Sequence, residues 1–543
     1  IPTVDNWRGK WPDKIWMHID HWDYNPIARK YAWKDVDYTR KLYYHFGSPA
    51  LGDYDSNLAI EVGAARWKGY NVDIDALKQL RADAITNLEE TRKIFNFNST
   101  AACRKYMYDV LDETERLVMQ VGDKITTKGV ILEEISKWKV ESVCEHCMGQ
   151  GEDDDGKSCK HCEDGLVQTD EIHKAAVRAT QILDARHAQK EIELYDKLIF
   201  AGRFHASFKV IGTLSSRMAG GDGLNPQGIK RTKEVRRKFP LAFDPMILDG
   251  GDFSGFEVCL ADAVYGDPIL HEDLLSGKKI HGLFGQYLFP ELSYDALLAT
   301  EGLPGDQDKY GRSKNGVFCL LYMGEAYSLH NRVGIPESVA EEAYQKFIKR
   351  YKVFGEKRKK YAHMFCSMKQ QGGIGTKITW EDPHDYIESI FGFRRYFTLE
   401  NQICKALFEL AQKPPKHWTN LDFKVVRRDR EQTAKGATQS ALYAAAFGLQ
   451  AANMRAAGNH VIQSSGGQIT KMLQERIWQL QPWGINPWLV QPLNIHDEIQ
   501  NPRLPEARIQ VREIVEGFVS EFREKIPLLK IEWKEGMETW ADK

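Results

Sequence analysis

The rhythm of apolar and polar positions changes several times along this chain, and each change predicts an element. Residues 26–47, PIARKYAWKDVDYTRKLYYHFG, keep helical spacing and stop at Gly47-Ser48-Pro49. Residues 74–140 read as helix-rich, with a start signal at Asn98-Ser99-Thr100 ahead of AACRKYMYDVL. Residues 148–158, MGQGEDDDGKS, are acidic and glycine-rich and read as a loop, and helix returns over 171–203. From 204 to 260 the pattern shortens to strands and turns, FHASFKVIGTLSSR and then LAFDPMILDGGDFSGFEV. Residues 305–370 are helical again, and KPPKHWTN at 413–420 breaks the pattern. Residues 484–502, GINPWLVQPLNIHDEIQNP, alternate around a polar centre as a β-hairpin does. There is no fixed-period repeat, and the class is mixed α/β.

Composition narrows this picture. With 543 residues, 42% apolar and 11% aromatic, the chain can build two to four cored domains. The formal charge of -2, from 74 basic and 76 acidic side chains, neither favours nor opposes nucleic acid; any basic surface must be gathered locally. No apolar run approaches the roughly 18 residues of a membrane span, so no membrane partner is expected. The opening IPTVDNWRGKWPDK carries no secretory pattern and no initiator Met, so residue 1 is not expected to be the native start.

Two segments concentrate carboxylates where they are costly. In ILDGGDFSGFEVCLADAVYG an apolar strand runs to Gly-Gly and Asp252, and Ser254 with Glu257 has capping-box spacing. An ordinary strand–turn–helix with a surface aspartate fits this segment equally well. In PLNIHDEIQNP, His496, Asp497 and Glu498 crowd one strand junction, which is unfavourable unless a cation sits there; a solvated surface turn is the alternative. The run KYGRSKNGVFCLLYMGEA spaces Lys314, Phe318 and Tyr322 at i, i+4 and i+8 on one helix face. An aromatic stripe alone reads as core, but a lysine in its line does not.

Nine cysteines are present, and four form Cys144-x2-Cys147 and Cys159-x2-Cys162, with eleven residues between the pairs. Four thiolates at this spacing suit a structural Zn2+ site, against reduced surface thiols as the alternative. The remaining cysteines, 103, 259, 319, 366 and 404, are scattered, as in a reduced, cytoplasmic protein.

The combination resembles the family A DNA polymerases over most of residues 75–543. D-F-S-G-F-E at 252–257 resembles their motif A and H-D-E at 496–498 their motif C, while the Lys314 helix resembles motif B with one extra letter before Gly324. The resemblance implies a right-hand fold of palm, fingers and thumb, with an antiparallel palm sheet flanked by helices. It implies an exonuclease remnant at 1–48 and a thumb at 49–203 with an insertion at about 140–168. It places the palm at 204–264 and 441–543, and the fingers at 265–440 with an extra segment at about 402–445. It implies nucleotidyl transfer from dNTP to a primer 3′-hydroxyl with two Mg2+ ions on Asp252, Asp497 and the Phe253 carbonyl, and Glu498 in support.

Further roles are implied residue by residue. The nucleotide would meet Glu257 as a gate against the sugar 2′ position, His281 in GKKIHGLFGQYLF, Lys314, Phe318 and Tyr322. The family's arginine one turn before the lysine is Tyr310 here; either Arg312, roughly 200° round the helix from Lys314, reaches the phosphates from an altered helix start, or another residue such as Lys309 replaces it. Primer-template DNA would meet Arg217, Asn225 and Gln227 ahead of motif A, Arg236 and Arg237 in the basic cluster RTKEVRRKF, Arg455, Asn459 and Gln463 in RAAGNHVIQSSGG, and His496. FGFRRY at 391–396 resembles a turn at the tip of the fingers, and the last residues resemble the end of phage-type members. CEHCMGQG has the form of a DnaJ-type zinc hairpin. Tyr31 and Asp35 resemble a remnant of the family's exonuclease motif; with thirty residues before Tyr31, no working proofreading site is expected. An exonuclease-bearing N-terminal part or a replisome partner would complete the set. Rival readings are a single-subunit RNA polymerase and a non-catalytic zinc-bearing DNA-binding subunit.

Overall fold

A computed structural model describes residues 26–45, 47, 53–121, 124–151, 159, 162, 165–221, 224–373, 376–419, 424–427, 430–482 and 487–543. Ser48, Pro49, most of the loop 148–158, Asn420 and residues 484–486 of the expected hairpin lie outside them. The chain divides into two units, residues 1–57 and 58–543. In the first, helix Pro26–His45 carries Tyr31 and Asp35 one turn apart. No helix among the described residues is long and apolar enough to cross a membrane.

The second unit is organised about a four-stranded antiparallel sheet. Its strands are β1 (Ile247–Phe253), β2 (Leu493–Ile495), β3 (Glu498–Arg503) and β4 (Ile531–Met537), in spatial order β2-β3-β1-β4. Gly250 and Gly251 let β1 lie between two close neighbours: a Cβ on Gly250 would stand 2.8 Å from the Ile499 carbonyl oxygen, and one on Gly251 2.7 Å from that of Glu532. Beneath β1, Asp249 accepts from the Arg503 guanidinium at 2.5 and 3.1 Å and from the Gly536 N–H at 3.0 Å, so this buried pair is fully hydrogen-bonded.

Each face of the sheet carries a core. On one side Phe253 and Ile499 join Phe256, Leu260, Ile469, Leu473 and Val511. On the other Leu248, Leu493, Ile495 and Met537 join Tyr70, Phe204, Phe239 and Trp540. Burying each large apolar side chain contributes about 1.5–3 kcal/mol, so the strand register is strongly specified. A third, helical core packs Ile74–Ile94 on Lys174–Ala201 through Leu88, Ala179 and Ile182. Ser99 caps the helix from Thr100, accepting from the Ala102 N–H at 3.2 Å as its sequence signal predicts.

Helix α1 (Phe256–Tyr265) leaves β1 through a turn, α2 (Lys309–Leu321) carries the lysine–aromatic line, and α3 (Ala434–Trp478) is a single 45-residue helix. One expectation is corrected. The capping box does not form: Gly255, at φ 57, precedes α1 with no side-chain cap, and the Ser254 hydroxyl donates to Glu532 at 2.8 Å. The 391–396 turn packs against its surroundings: Ile390 N–H donates to Ser465 Oγ at 3.0 Å on α3, and Phe391 packs edge-on against Phe522 at 5.6 Å. Residues 440 and 441, where the expected fingers and palm meet, both lie inside α3. The extra segment contains a ribbon, Lys424–Arg427 with Arg430–Thr433, that the sequence reading did not foresee.

Candidate active site

The sheet brings the two carboxylate segments together. Asp252 sits one residue before the end of β1, and its register partners are Glu498 on β3 and Glu532 on β4. His496 and Asp497 form the tight β2–β3 turn, with His496 at φ 64. The Phe253 N–H donates to the Asp497 carbonyl at 3.3 Å, which seats Asp497 beside Asp252. Both carboxyls are held above the usual aspartate range. For Asp252 the causes are burial and then the neighbouring Asp497; for Asp497 the main cause is burial.

Glu498 is spoken for. It is 2% exposed, accepts from Gln500 at 2.6 Å and Trp540 Nε1 at 2.5 Å, and pairs with Arg236 at 3.4 Å and with Lys543. This corrects the reading of Arg236 as a DNA contact: it is buried, with its guanidinium 4.3 Å from the centroid of the Trp540 ring. Arg237, next in sequence, is exposed. Its neighbour turns inward because Trp540 and Glu498 offer both an aromatic face and a carboxylate.

Three further groups border the carboxylates. Tyr322, at the end of α2, donates its hydroxyl to Glu257, and Arg217 pairs with the same carboxylate at 3.4 Å. Arg217 and Glu257 are also close enough to act on the charge of Asp497. Phe318 and Tyr322 stack at 6.5 Å, Lys314 Nζ lies 6.0 Å from the Phe318 ring centroid, and His281 packs edge-on to Phe318 at 5.3 Å. Burial, then the charges of Lys314 and Lys279, lowers the His281 pKa to about 4; its Nδ1 is buried without a hydrogen-bond partner. The extra letter in this motif has a structural account. Met323 takes the left-handed position at φ 65 and Gly324 closes the helix onto the Cys319 carbonyl at 2.8 Å, where a Cβ would stand 2.3 Å from Cys319 Sγ.

Not every expected residue arrives. Arg312 points away from the Lys314 line; it donates to the Val333 and Gly334 carbonyls at 2.8 and 2.9 Å, satisfying a helix C-terminus. Lys309 pairs with Glu291 at 2.7 Å. Asn225 accepts from Gln227 N–H at 3.0 Å and Gln227 donates to the Met218 carbonyl at 3.1 Å, so both side chains brace their own loop. On α3, Arg455 is exposed while Asn459 and Gln463 are half-buried, spaced on one face. Asn459 Oδ1 is buried with no partner, and next to it a Cβ on Gly458 would stand 2.4 Å from Met323. Trp540, Gln500, Glu532 and Lys543 were missed, because nothing in their local pattern marks them.

The donor set fits divalent cations. Asp252 Oδ1 is buried without a hydrogen-bond partner beside the half-buried carboxylate of Asp497, the deficit a hard cation relieves. A second cluster lies elsewhere. The Sγ atoms of Cys144, Cys147, Cys159 and Cys162 fall within 4.8 Å of one another, with Cys147 and Cys162 at 3.4 Å. Tetrahedral zinc at about 2.3 Å from each sulfur needs separations near 3.8 Å, so these four fit it. The strands Lys139–Val143 and Leu166–Ile172 pair antiparallel and close the base of this ribbon.

The fold is that of a polymerase domain. A solved structure of the POL domain of Pol1 from M. smegmatis, in complex with a DNA primer-template and dNTP, is similar at a TM-score of 0.57 and 17% identity, covering 89% of this chain and 70% of that one. No family model matches the chain. No curated protein matches it either.

Proposed function

We propose that this chain is a template-directed DNA polymerase of the family A type, extending a primer 3′-hydroxyl with dNTP, and that it serves phage DNA replication. The observation that carries the reading is the convergence of Asp252 and Asp497 at one sheet edge, bordered through Arg217 and Glu257 by the Tyr322 end of α2. The fold, shared with a domain whose structure holds primer-template and dNTP, supports it.

In this reading residues 49–203 form the thumb, β1–β4 lie in the palm and α2 in the fingers. Asp252, Asp497 and the Phe253 carbonyl would hold two Mg2+ ions, which when bound supply charge neutralisation for the triphosphate and a more acidic 3′-hydroxyl. The protein's part is orientation. Lys314 offers a charge to the phosphates, and Phe318 and Tyr322 offer a stacked surface to the base and sugar. Glu257, fixed by Tyr322 and Arg217, fills the space a ribose 2′-hydroxyl would need. His281 is neutral above about pH 4 and packs edge-on against Phe318. The four cysteines would hold zinc and stiffen the ribbon near the tip of the thumb.

Single-nucleotide extension tests this, with dNTP and NTP compared in parallel and Asp497→Ala as the control. DNA synthesis that disappears in the variant supports the reading. Preference for NTP points to an RNA polymerase, and primer-template affinity without extension in Mg2+ points to a binding subunit.

A further inference from the structure

The last turn of the chain reaches into the carboxylate centre. Lys543 Nζ lies 3.2 Å from Asp252 Oδ2 and also bonds Glu498 Oε2. Its approach is fixed rather than incidental. Thr539 and Asp542 form a capping box around the turn Trp540–Asp542, Lys534 donates to the Asp542 carbonyl at 3.0 Å, and Trp540 is fully buried with its indole N–H on Glu498. Among the described residues Lys543 is the cation in salt-bridge contact with Asp252, while Asp252 Oδ1 has no partner. Two half-buried aspartates and a buried glutamate at one end of the sheet repel unless a cation is present.

We propose that the Lys543 ammonium is a resident counter-ion that holds the metal-free carboxylates together and competes with the first divalent cation for Asp252. This rests on the reading of Asp252 and Asp497 as metal ligands. A single positive charge with three N–H donors satisfies two carboxylates only in part. A divalent ion that takes the same oxygens releases Lys543 and, with it, the turn that carries Trp540. The residue thereby sets how much free metal the site needs, and links metal loading to the position of the C-terminal turn.

The test is Mn2+ binding to the DNA-free protein, read by the loss of the free-ion electron paramagnetic resonance signal, together with thermal unfolding in chelator and in Mg2+. Lys543→Gln should tighten Mn2+ binding by about tenfold. It should also lower Tm in chelator and enlarge the rise on adding Mg2+, since ligand binding to the folded state raises stability. Lys543→Arg should restore wild-type behaviour in both. Lys530→Gln removes an equal charge from an exposed side chain just before β4, outside the turn, and controls for long-range electrostatics. Equal effects of the two glutamine variants, or no effect of Lys543→Gln, overturn the proposal. Mn2+ binding that responds to Asp252→Asn but not to Lys543→Gln overturns this inference alone. Binding indifferent to Asp252→Asn overturns the metal-site reading and this inference with it.

Discussion

The carboxylate centre and the four-cysteine ribbon are both suited to metal ions, yet the chain builds them in opposite ways. The cysteines lie within nineteen consecutive residues and converge because one antiparallel ribbon brings its two ends together. The carboxylates are 245 positions apart, and they meet only because β1 pairs with β3 and both are buried between two cores. A local site can fail without the fold failing, and its metal is part of its own folding energy. A distributed site inherits its geometry from the whole sheet, so its residues can be removed chemically while the scaffold stands.

That contrast gives its own tests. The largest effect is expected from Asp497→Ala, with unchanged Tm in chelator or a higher one as repulsion with Asp252 is relieved. Loss of metal-borne charge stabilisation worth several kcal/mol should slow extension by roughly a thousandfold or more in single-turnover kinetics. Next, Cys147→Ser should take bound zinc from one ion per chain to none, by elemental analysis. The ribbon should melt as a separate early transition while the rate of each extension event is kept. An unchanged processivity and salt dependence in that variant would rule out a role for the ribbon on DNA. Loss of the chemical step itself would break the contrast.

Arg236→Met sharpens the boundary between scaffold and site. It leaves the buried Glu498 one charged partner short, so stability should fall by about 2 kcal/mol in denaturant unfolding. The salt dependence of primer-template binding should not change, because Arg236 faces Trp540 rather than a phosphate. The smallest effect concerns pH. The folded pKa of His281 is depressed to about 4 from an ordinary value near 6.5, so the unfolded state binds the proton first. Stability should therefore be intact above about pH 6.5 and decline as pH falls toward 4, by at most about 1.4 kcal/mol per pH unit. His281→Gln should flatten that slope in calorimetric scans.

How much was legible follows the same division. The cysteine set, the lysine–aromatic line of α2 and the two acidic segments were readable because spacing alone states their chemistry. The strand–turn–helix around Asp252 was legible, but its capping was not: Ser254 is drawn off by Glu532, a residue 278 positions away that has no local signature. Arg236 looked like its exposed neighbour Arg237 because inward and outward arginines differ only in what the rest of the fold offers them. Arg312 was placed at the nucleotide by its closeness to Lys314 in sequence, whereas the carbonyls ending a neighbouring helix hold it elsewhere. Lys543 and Trp540 carry no motif, and their role exists only once the C-terminal turn is folded against β1 and β3.

The central claim is that Asp252 and Asp497 share divalent ions with an incoming triphosphate. Crystals of the protein with dideoxy-terminated primer-template, dNTP and Mn2+, measured at the manganese edge, test it most directly. The account predicts two anomalous peaks about 3.5–4 Å apart, each within coordination distance of both aspartates. Peaks confined to other carboxylates, or none that touches both residues, would contradict it.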